Sequence, residues 1–332
     1  MSKPANPRPT EPEPVSLPSV QILTIGEDRD GQRLDNFLFN TLKGVPKTHV
    51  YRLLRTGQVR INGKRCKPDT RIAAGDQVRV PPVRVPEARD PGQAPDRLLR
   101  EVPSWIVFED RHYLVFNKPS GIAAHGGSGV SFGAIELLRQ ARSDEAFELV
   151  HRLDRDTSGV LVFAKRRPAL TQLQTEIREN RTRKRYLALL AGRLPKDKMF
   201  VDVALAKNVL QGGERMVTVD DEGKPSRSTF KVIERLRDAT FVEVLIETGR
   251  THQIRVHAQH LGFPLLGDDK YGDAQANRAA KQFGLKRLFL HAAEFGFSAG
   301  EPRRDYLFHA PLAPELEAVL ANWPRDGSSG AR

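Results

Sequence analysis

The stretch His151-Arg152-Leu153-Asp154-Arg155-Asp156-Thr157-Ser158-Gly159 sets two carboxylates and two guanidinium groups side by side. Apolar runs flank it, Phe147 to Val150 before and Val160 to Ala164 after, so the pattern predicts a charged loop running into a buried strand. Core strands seldom carry such a cluster between them, because a buried charge must be paired or it titrates to neutral. A carboxylate beside arginine stays ionised, since the neighbouring cation lowers its pKa. That is the state a nucleophile or a charge stabiliser requires. For this segment in isolation, a polar surface loop with self-neutralising pairs is the commoner explanation.

Working outward, 332 residues allow two domains, at least one with a substantial core. The 53 lysines and arginines against 41 acids give a net charge of +12, a balance that favours a polyanionic partner. No apolar run approaches the roughly 18 residues of a spanning helix, and the N-terminus lacks a signal-peptide core. A cytoplasmic protein without a membrane partner is expected. A single cysteine, Cys66, excludes an internal disulfide and a multi-cysteine zinc site.

Residues 1–20 are punctuated by Pro4, Pro7, Pro9, Pro12, Pro14 and Pro18 and read as a disordered tail. Residues 21–83 form a compact unit. Leu34, Phe37 and Leu38 recur at helical spacing, as do Val50, Leu53 and Leu54, with Pro46 suited to the first turn of the second helix. Short strands are expected at 58–61 and 76–80, with a turn at Asn62-Gly63. Lys47, Arg52, Arg55, Arg60, Lys64 and Arg65 crowd a region whose one acid is Asp69, the basic face of a phosphate-binding module. Arg33 to Leu38, Tyr51 to Gly63 and Gly75 to Val80 resemble an S4 domain, which implies binding to structured RNA.

Proline-rich residues 84–103 read as an extended linker. Residues 104–324 form a second domain, with a hairpin at 106–116, a helix at 132–142, a helix opening near Pro168, and strands at 160–164, 186–190, 230–233 and 241–246. Strands mixed with interspersed helices indicate an α+β fold on a large, mostly antiparallel or mixed sheet. Residues 325–332 read as a disordered tail.

Three further segments bear on chemistry. Arg181 to Arg185 run basic into Tyr186, suiting phosphates with a ring to stack on a base, although a core tyrosine after a solvated run explains them equally well. Arg183 and Lys184 are the candidate RNA contacts there. In Glu247 to His260 a helix is expected from Thr251, as N-cap, with His252, Arg255 and Gln259 on its polar face and Ile254, Ala258 and Leu261 on the apolar one. Its histidines share no face that would hold a metal. Asn117 to Gly121 and His125 to Gly129 lack a phosphate-loop Gly-Lys-Ser/Thr, and Gly262 to Gly267 is followed by Asp268-Asp269, which would repel phosphate. No nucleotide or dinucleotide cofactor is indicated. What remains is carboxylates, arginines and a tyrosine on a basic chain. That inventory fits rearrangement of an RNA base about its glycosidic bond, with a carboxylate beside C1′ and the base drawn out of its stack.

His151 to Gly159, Lys184 to Ala188 and Thr248 to His257, in this order behind an S4-like unit, resemble the RluA-type pseudouridine synthases from about Ile22 to Pro324. Leu42 to Lys47, Pro81 to Val85, Val115 to Gly121, His125 to Gly133 and Gln211 to Arg215 resemble the members that act on large-subunit ribosomal RNA. The resemblance implies isomerisation of several uridines in 23S rRNA, by a monomer, without metal or cofactor. It implies that Asp154, directly after Arg-Leu, is the catalytic aspartate in preference to Asp156. It further implies that Arg152 supports base flipping, Tyr186 stacks on the base, Arg255 pairs with the catalytic carboxylate, and Ile254 lines the uracil pocket. A non-catalytic assembly factor of the same fold is the alternative, as is a glycosylase that would release free base.

Overall fold

The computed structural model describes residues 19–42, 45–83, 93–127, 132–209, 215–300 and 302–325. The expected tails, up to residue 18 and from 326, lie outside these residues, as do 84–92 of the linker and parts of the glycine-bearing stretches at 128–131 and 211–214. The chain divides into two compact units, Met1–Gly92 and Gln93–Arg332.

In the smaller unit, β1 (Gln21–Thr24) precedes α1 (Leu34–Thr41) and α2 (Lys47–Arg55), followed by β2 (Arg60–Ile61), β3 (Lys64–Arg65) and β4 (Gln77–Val80). The four strands lie in the order β1-β4-β2-β3. The apolar faces of α1 and α2 bury against Val59, Ile72, Val78 and Val80, each large side chain contributing roughly 1.5–3 kcal/mol. Asn62 and Gly63 both take positive φ, 49° and 77°, as a two-residue hairpin requires. Pro46 sits just outside α2, as its N-cap. Lys47, Arg52, Arg55, Arg60, Lys64 and Arg65 are all exposed on this unit.

The larger unit opens with α3 (Asp96–Trp105), β5 (Ile106–Glu109), β6 (Tyr113–Lys118), α4 (Ala134–Ala141), β7 (Glu148–Leu149), β8 (Ser158–Ala164) and α5 (Arg167–Arg178). It continues with β9 (Arg183–Ala191), β10 (Lys198–Val209), β11 (Arg215–Val219), β12 (Lys224–Leu236), β13 (Ala239–Ile246), α6 (Gln253–His260) and α7 (Ala274–Ala280). Last come β14 (Leu290–Ala299), β15 (Arg304–His309) and α8 (Pro314–Asn322). The central path of the sheet is β11-β10-β12-β13-β9-β14-β8-β6-β5, with β7 on β8 and β15 on β14. Among the described strands the pairing is antiparallel except between β14 and β8. The expected mostly antiparallel mixed sheet is therefore present. The extended linker is not extended throughout: Pro95 caps α3, and Val102 and Trp105 pack onto α4. No described helix is long and apolar enough to cross a membrane.

Every residue of β8 is buried because both faces are covered. Leu161 and Phe163 join Leu114 and Phe116 under α3 and α4, while Val160 and Val162 meet Leu170 and Leu173 of α5. In the other half of the sheet α6 covers Val242 and Val244, and α8 covers Leu189 and Phe241. The two halves join where β14 runs antiparallel to β9 and parallel to β8, His291 opposite Ser158 and Ala292 opposite Gly159. Gly159 has φ 110°, and a β-carbon there would fall 2.1 Å from the Ala292 carbonyl oxygen, so the close approach needs glycine.

Candidate active site

The charged loop between β7 and β8 lies at this join, held from two sides. Lys118, wholly buried at the end of β6, donates from Nζ to the carbonyls of Pro119, Ile122 and Arg155 at 2.9, 2.7 and 3.2 Å. The Gly121 amide also donates to the Arg155 carbonyl, and the Ser120 hydroxyl to that of Asp156. On the other side, Arg287 Nη2 donates to Ser158 Oγ at 3.1 Å, and Ser158 in turn meets His291 Nδ1 at 2.9 Å. Burial pushes the His291 imidazole down to about 4, so this bridge is neutral. Arg155 and Asp156 pair with each other in solvent, which leaves Asp154 as the acid turned into the fold.

Asp154 Oδ2 stands 4.0 Å from Arg255 Nη1 and 3.8 Å from His252 Nε2. Arg255 is fixed elsewhere: its Nε and Nη2 donate to the two oxygens of Asp268 at 2.7 and 2.6 Å. Asp268 also accepts the amides of Lys270 and Tyr271, and the guanidinium lies 4.9 Å from the centre of the Tyr271 ring. Burial is the largest single influence and works against both charges. Their mutual hydrogen bonds and attraction, with the Lys270 and Tyr271 amides on Asp268, together outweigh it, holding the Asp268 carboxyl below and the Arg255 guanidinium above their ordinary values. The helix bearing Arg255 begins at Gln253, not at Thr251. The Gln253 carboxamide oxygen accepts the Thr248 hydroxyl and the Arg250 amide, which organises the turn without a threonine cap.

Asp154 borders two connected spaces. A small chamber of about 100 Å³ is lined by Arg152, Asp154, Tyr186, Ile254, Arg255 and Leu290 among others. A cleft of about 670 Å³ shares Arg152, Asp154, His252 and Arg255 and extends past Lys270, Lys286 and Arg287. Tyr186 reaches the chamber from β9, paired with Val244 and Ala292. Burial first, and the Asp154 charge second, raise the Tyr186 phenol well above its ordinary value, so it is neutral. A half-open pocket with Tyr186, Ile254 and Leu290 beside one carboxylate, sharing a wall with a basic cleft, suits an uncharged ring attached to a phosphate chain.

Residues 112–260 match the family model for RNA pseudouridylate synthase, and residues 32–78 match that for the S4 domain. A protein of Salmonella typhimurium named ribosomal large subunit pseudouridine synthase C is 53% identical over 310 residues, covering 92% of this chain and 97% of its own. The protein of that name in Escherichia coli shows the same identity and coverage, and that of Vibrio vulnificus is 49% identical over 305 residues, covering 91% and 96%. This chain belongs to the RNA pseudouridylate synthase family. Among solved structures, human RNA pseudouridylate synthase domain containing 1 matches this synthase with a TM-score of 0.56 at 28% identity, over 66% of this chain and 87% of the other. Human RNA pseudouridylate synthase domain containing 4 shares the fold, with a TM-score of 0.57 at 22% identity over 68% and 95%.

In this synthase the five residues singled out beside the ribose and base, Asp154, Arg152, Tyr186, Ile254 and Arg255, all line the chamber. Arg255 faces Asp154 at 4.0 Å, as expected, and in addition makes two short bonds to Asp268. Lys184 is no surface contact: it is buried and donates to the Glu247 carbonyl at 3.3 Å, and burial, then Arg250, push its ammonium down to about 8. Arg183 is exposed but engaged by the Glu294 carboxylate. Gln259 faces solvent, away from His252 and Arg255. Asp268 was expected to repel phosphate; it is instead the partner that fixes Arg255. Asp268 and Tyr271 carry no spacing signal, because their partners Arg255 and His252 come from a separate segment of the chain, whereas spacing had set His252 on one face with Arg255.

Proposed function

We propose that this synthase converts uridine to pseudouridine at several sites in 23S ribosomal RNA, acting as a cytoplasmic monomer without metal or cofactor. The observation that carries the reading is Asp154 on the shared wall of the chamber and the basic cleft, with Tyr186 and Arg255 in the same chamber. The names of the bacterial relatives supply the substrate class. Residues 21–83 hold structured RNA through Lys47, Arg52, Arg55, Arg60, Lys64 and Arg65, and residues 104–324 do the chemistry.

The target base leaves its stack, Arg152 fills the space it vacates, and the uracil enters the chamber against Ile254 and the Tyr186 ring. Asp154 meets the electron-deficient C1′ as the N1–C1′ bond breaks. The freed uracil turns, C5 bonds to C1′, the C5 proton departs and N1 takes one up, so the product is an isomer of the substrate. Arg255, held by Asp268, presents its guanidinium to Asp154 Oδ2 at 4.0 Å.

The test is tritium release from a 23S rRNA transcript labelled at uridine C5. Release by the wild type, none by Asp154→Asn and no free uracil is the expected result. Free uracil would mean a glycosylase, and no release by the wild type would favour a binding protein.

A further inference from the structure

His252 has no part in the scheme above, yet its backbone is left-handed, with φ 54° and ψ 18°. That conformation costs a residue with a β-carbon roughly 1 kcal/mol or more. The residue occupies the N-cap position of α6 without making a side-chain cap bond. The strain therefore has no local return at the helix end.

The ring explains it. Nδ1 lies 2.8 Å from the Tyr271 hydroxyl, and that hydroxyl oxygen accepts the Val217 amide at 3.0 Å. The phenol is buried and has one proton to donate; among the described residues His252 Nδ1 stands to receive it. A neutral imidazole that accepts at Nδ1 carries its own proton on Nε2, the nitrogen 3.8 Å from Asp154 Oδ2. Burial lowers the His252 pKa, aided by Arg255 and Lys270 and opposed by Asp154 and Asp268, so the ring is neutral. With two of its nitrogens on Asp268, Arg255 offers only Nη1 to the same oxygen, at 4.0 Å.

We infer that His252 is a positioning residue: a neutral Nε2–H donor, set in that tautomer by Tyr271, that aims the Asp154 carboxylate at the ribose once RNA closes the site. The gap of 3.8 Å narrows to a hydrogen bond on closure, as such contacts do when substrate binds. The role rests on the proposed uridine isomerisation.

Two substitutions separate the donor from the backbone. His252→Gln sets an amide N–H near the place of Nε2–H but suits the left-handed backbone poorly. His252→Asn suits that backbone well, yet its amide falls at the place of Nδ1. On the 23S transcript, kcat of His252→Gln stays within about tenfold of wild type, whereas His252→Asn loses roughly a hundredfold, both with KM for RNA unchanged. The reverse order, or both variants near wild type, overturns the inference. Nitrogen-15 NMR of the imidazole is the second readout. Wild type shows the proton on Nε2, and Tyr271→Phe shifts the ring toward a mixture of tautomers. A proton on Nδ1 in wild type overturns the inference alone, whereas a wild type that forms no pseudouridine overturns the functional reading and the role of His252 with it.

Discussion

Arg255 and Asp268 meet through two parallel hydrogen bonds of 2.7 and 2.6 Å, with 8% and 0% of their side chains exposed. Removing one member of such a pair strands the other charge in a dry site, at about 3–5 kcal/mol. Asp268→Asn is expected to unfold at correspondingly lower urea and to lose activity as Arg255 drifts from Asp154. Because the Asp268 carboxyl titrates below its ordinary value when folded, its contribution is complete above about pH 4 and disappears as pH falls through the folded pKa. The gap in unfolding midpoint between wild type and Asp268→Asn therefore narrows in acid; a gap that stays constant down to pH 3 contradicts this.

Lys118 gives the opposite pH signature. Burial pushes its ammonium down to about 7, whereas the unfolded chain holds that proton up to about 10.4. Between these values the unfolded state binds the extra proton, so this group makes stability rise with pH. Wild type should gain roughly 2–4 kcal/mol between pH 6.5 and 9.5 relative to Lys118→Met, read from urea midpoints at the two pH values. Equal changes in both proteins would contradict it.

Asp154 and Asp156 are two residues apart and should differ completely. The Asp156 carboxylate, 46% exposed, pairs with Arg155 at the surface, and such pairs contribute about 0–1 kcal/mol. Asp156→Asn is expected to keep stability and most of its activity. Asp154→Asn is expected to fold as well as wild type and to lose at least about a thousandfold in kcat. Comparable losses in the two variants would contradict the assignment.

Gly159→Ala tests the join of the sheet. Its β-carbon would meet the Ala292 carbonyl oxygen at 2.1 Å, at a φ of 110°. β8 and β14 must then separate beneath the Asp154 loop, with an expected loss of about 3 kcal/mol or more and of activity. Thermal unfolding and tritium release check both, and a variant of wild-type stability would show that the strands can yield.

Arg55 is exposed in the last turn of α2. If it contacts a phosphate, Arg55→Ala leaves the unfolding midpoint unchanged and flattens the dependence of log K for RNA on log salt by about 0.9. An unaltered slope removes Arg55 from the RNA-binding face.

Legibility in the sequence followed covering and proximity. α1, α2, α4 and α5 show their period because one face of each meets solvent. β14 hides its own: Leu290 to Ala299 is covered on both faces, and its buried His291 and Glu294 break any apolar run. α3 was obscured by Pro95 at its N-cap and Pro103 inside its last turn, since proline reads more readily as linker than as helix. Asp154, Arg152, Tyr186, Ile254 and Arg255, which line one pocket, could be singled out from the sequence because each sits in a recognisable motif. Asp268 was misread because its partner, Arg255, lies in another segment, and the local string Gly-Asp-Asp says only that the charge is negative. The left-handed turn at His252 was not read, because histidine, although enriched several-fold at positive φ, adopts that backbone in only a small minority of cases.

The bond between Ser158 and His291 spans 133 residues of sequence, and its parallel strands make the loop of Asp154 dependent on chain added much later in synthesis. A nascent protein that has just emerged through β8 owns the carboxylate but lacks the floor beneath it, and α6 and Asp268 are also still to come. The wall of the site is complete only once β14 lies between β8 and β9. A growing chain of this enzyme, surrounded by the RNA of the ribosome that makes it, lacks the full set of site residues with which to mark that RNA until synthesis has passed Leu290.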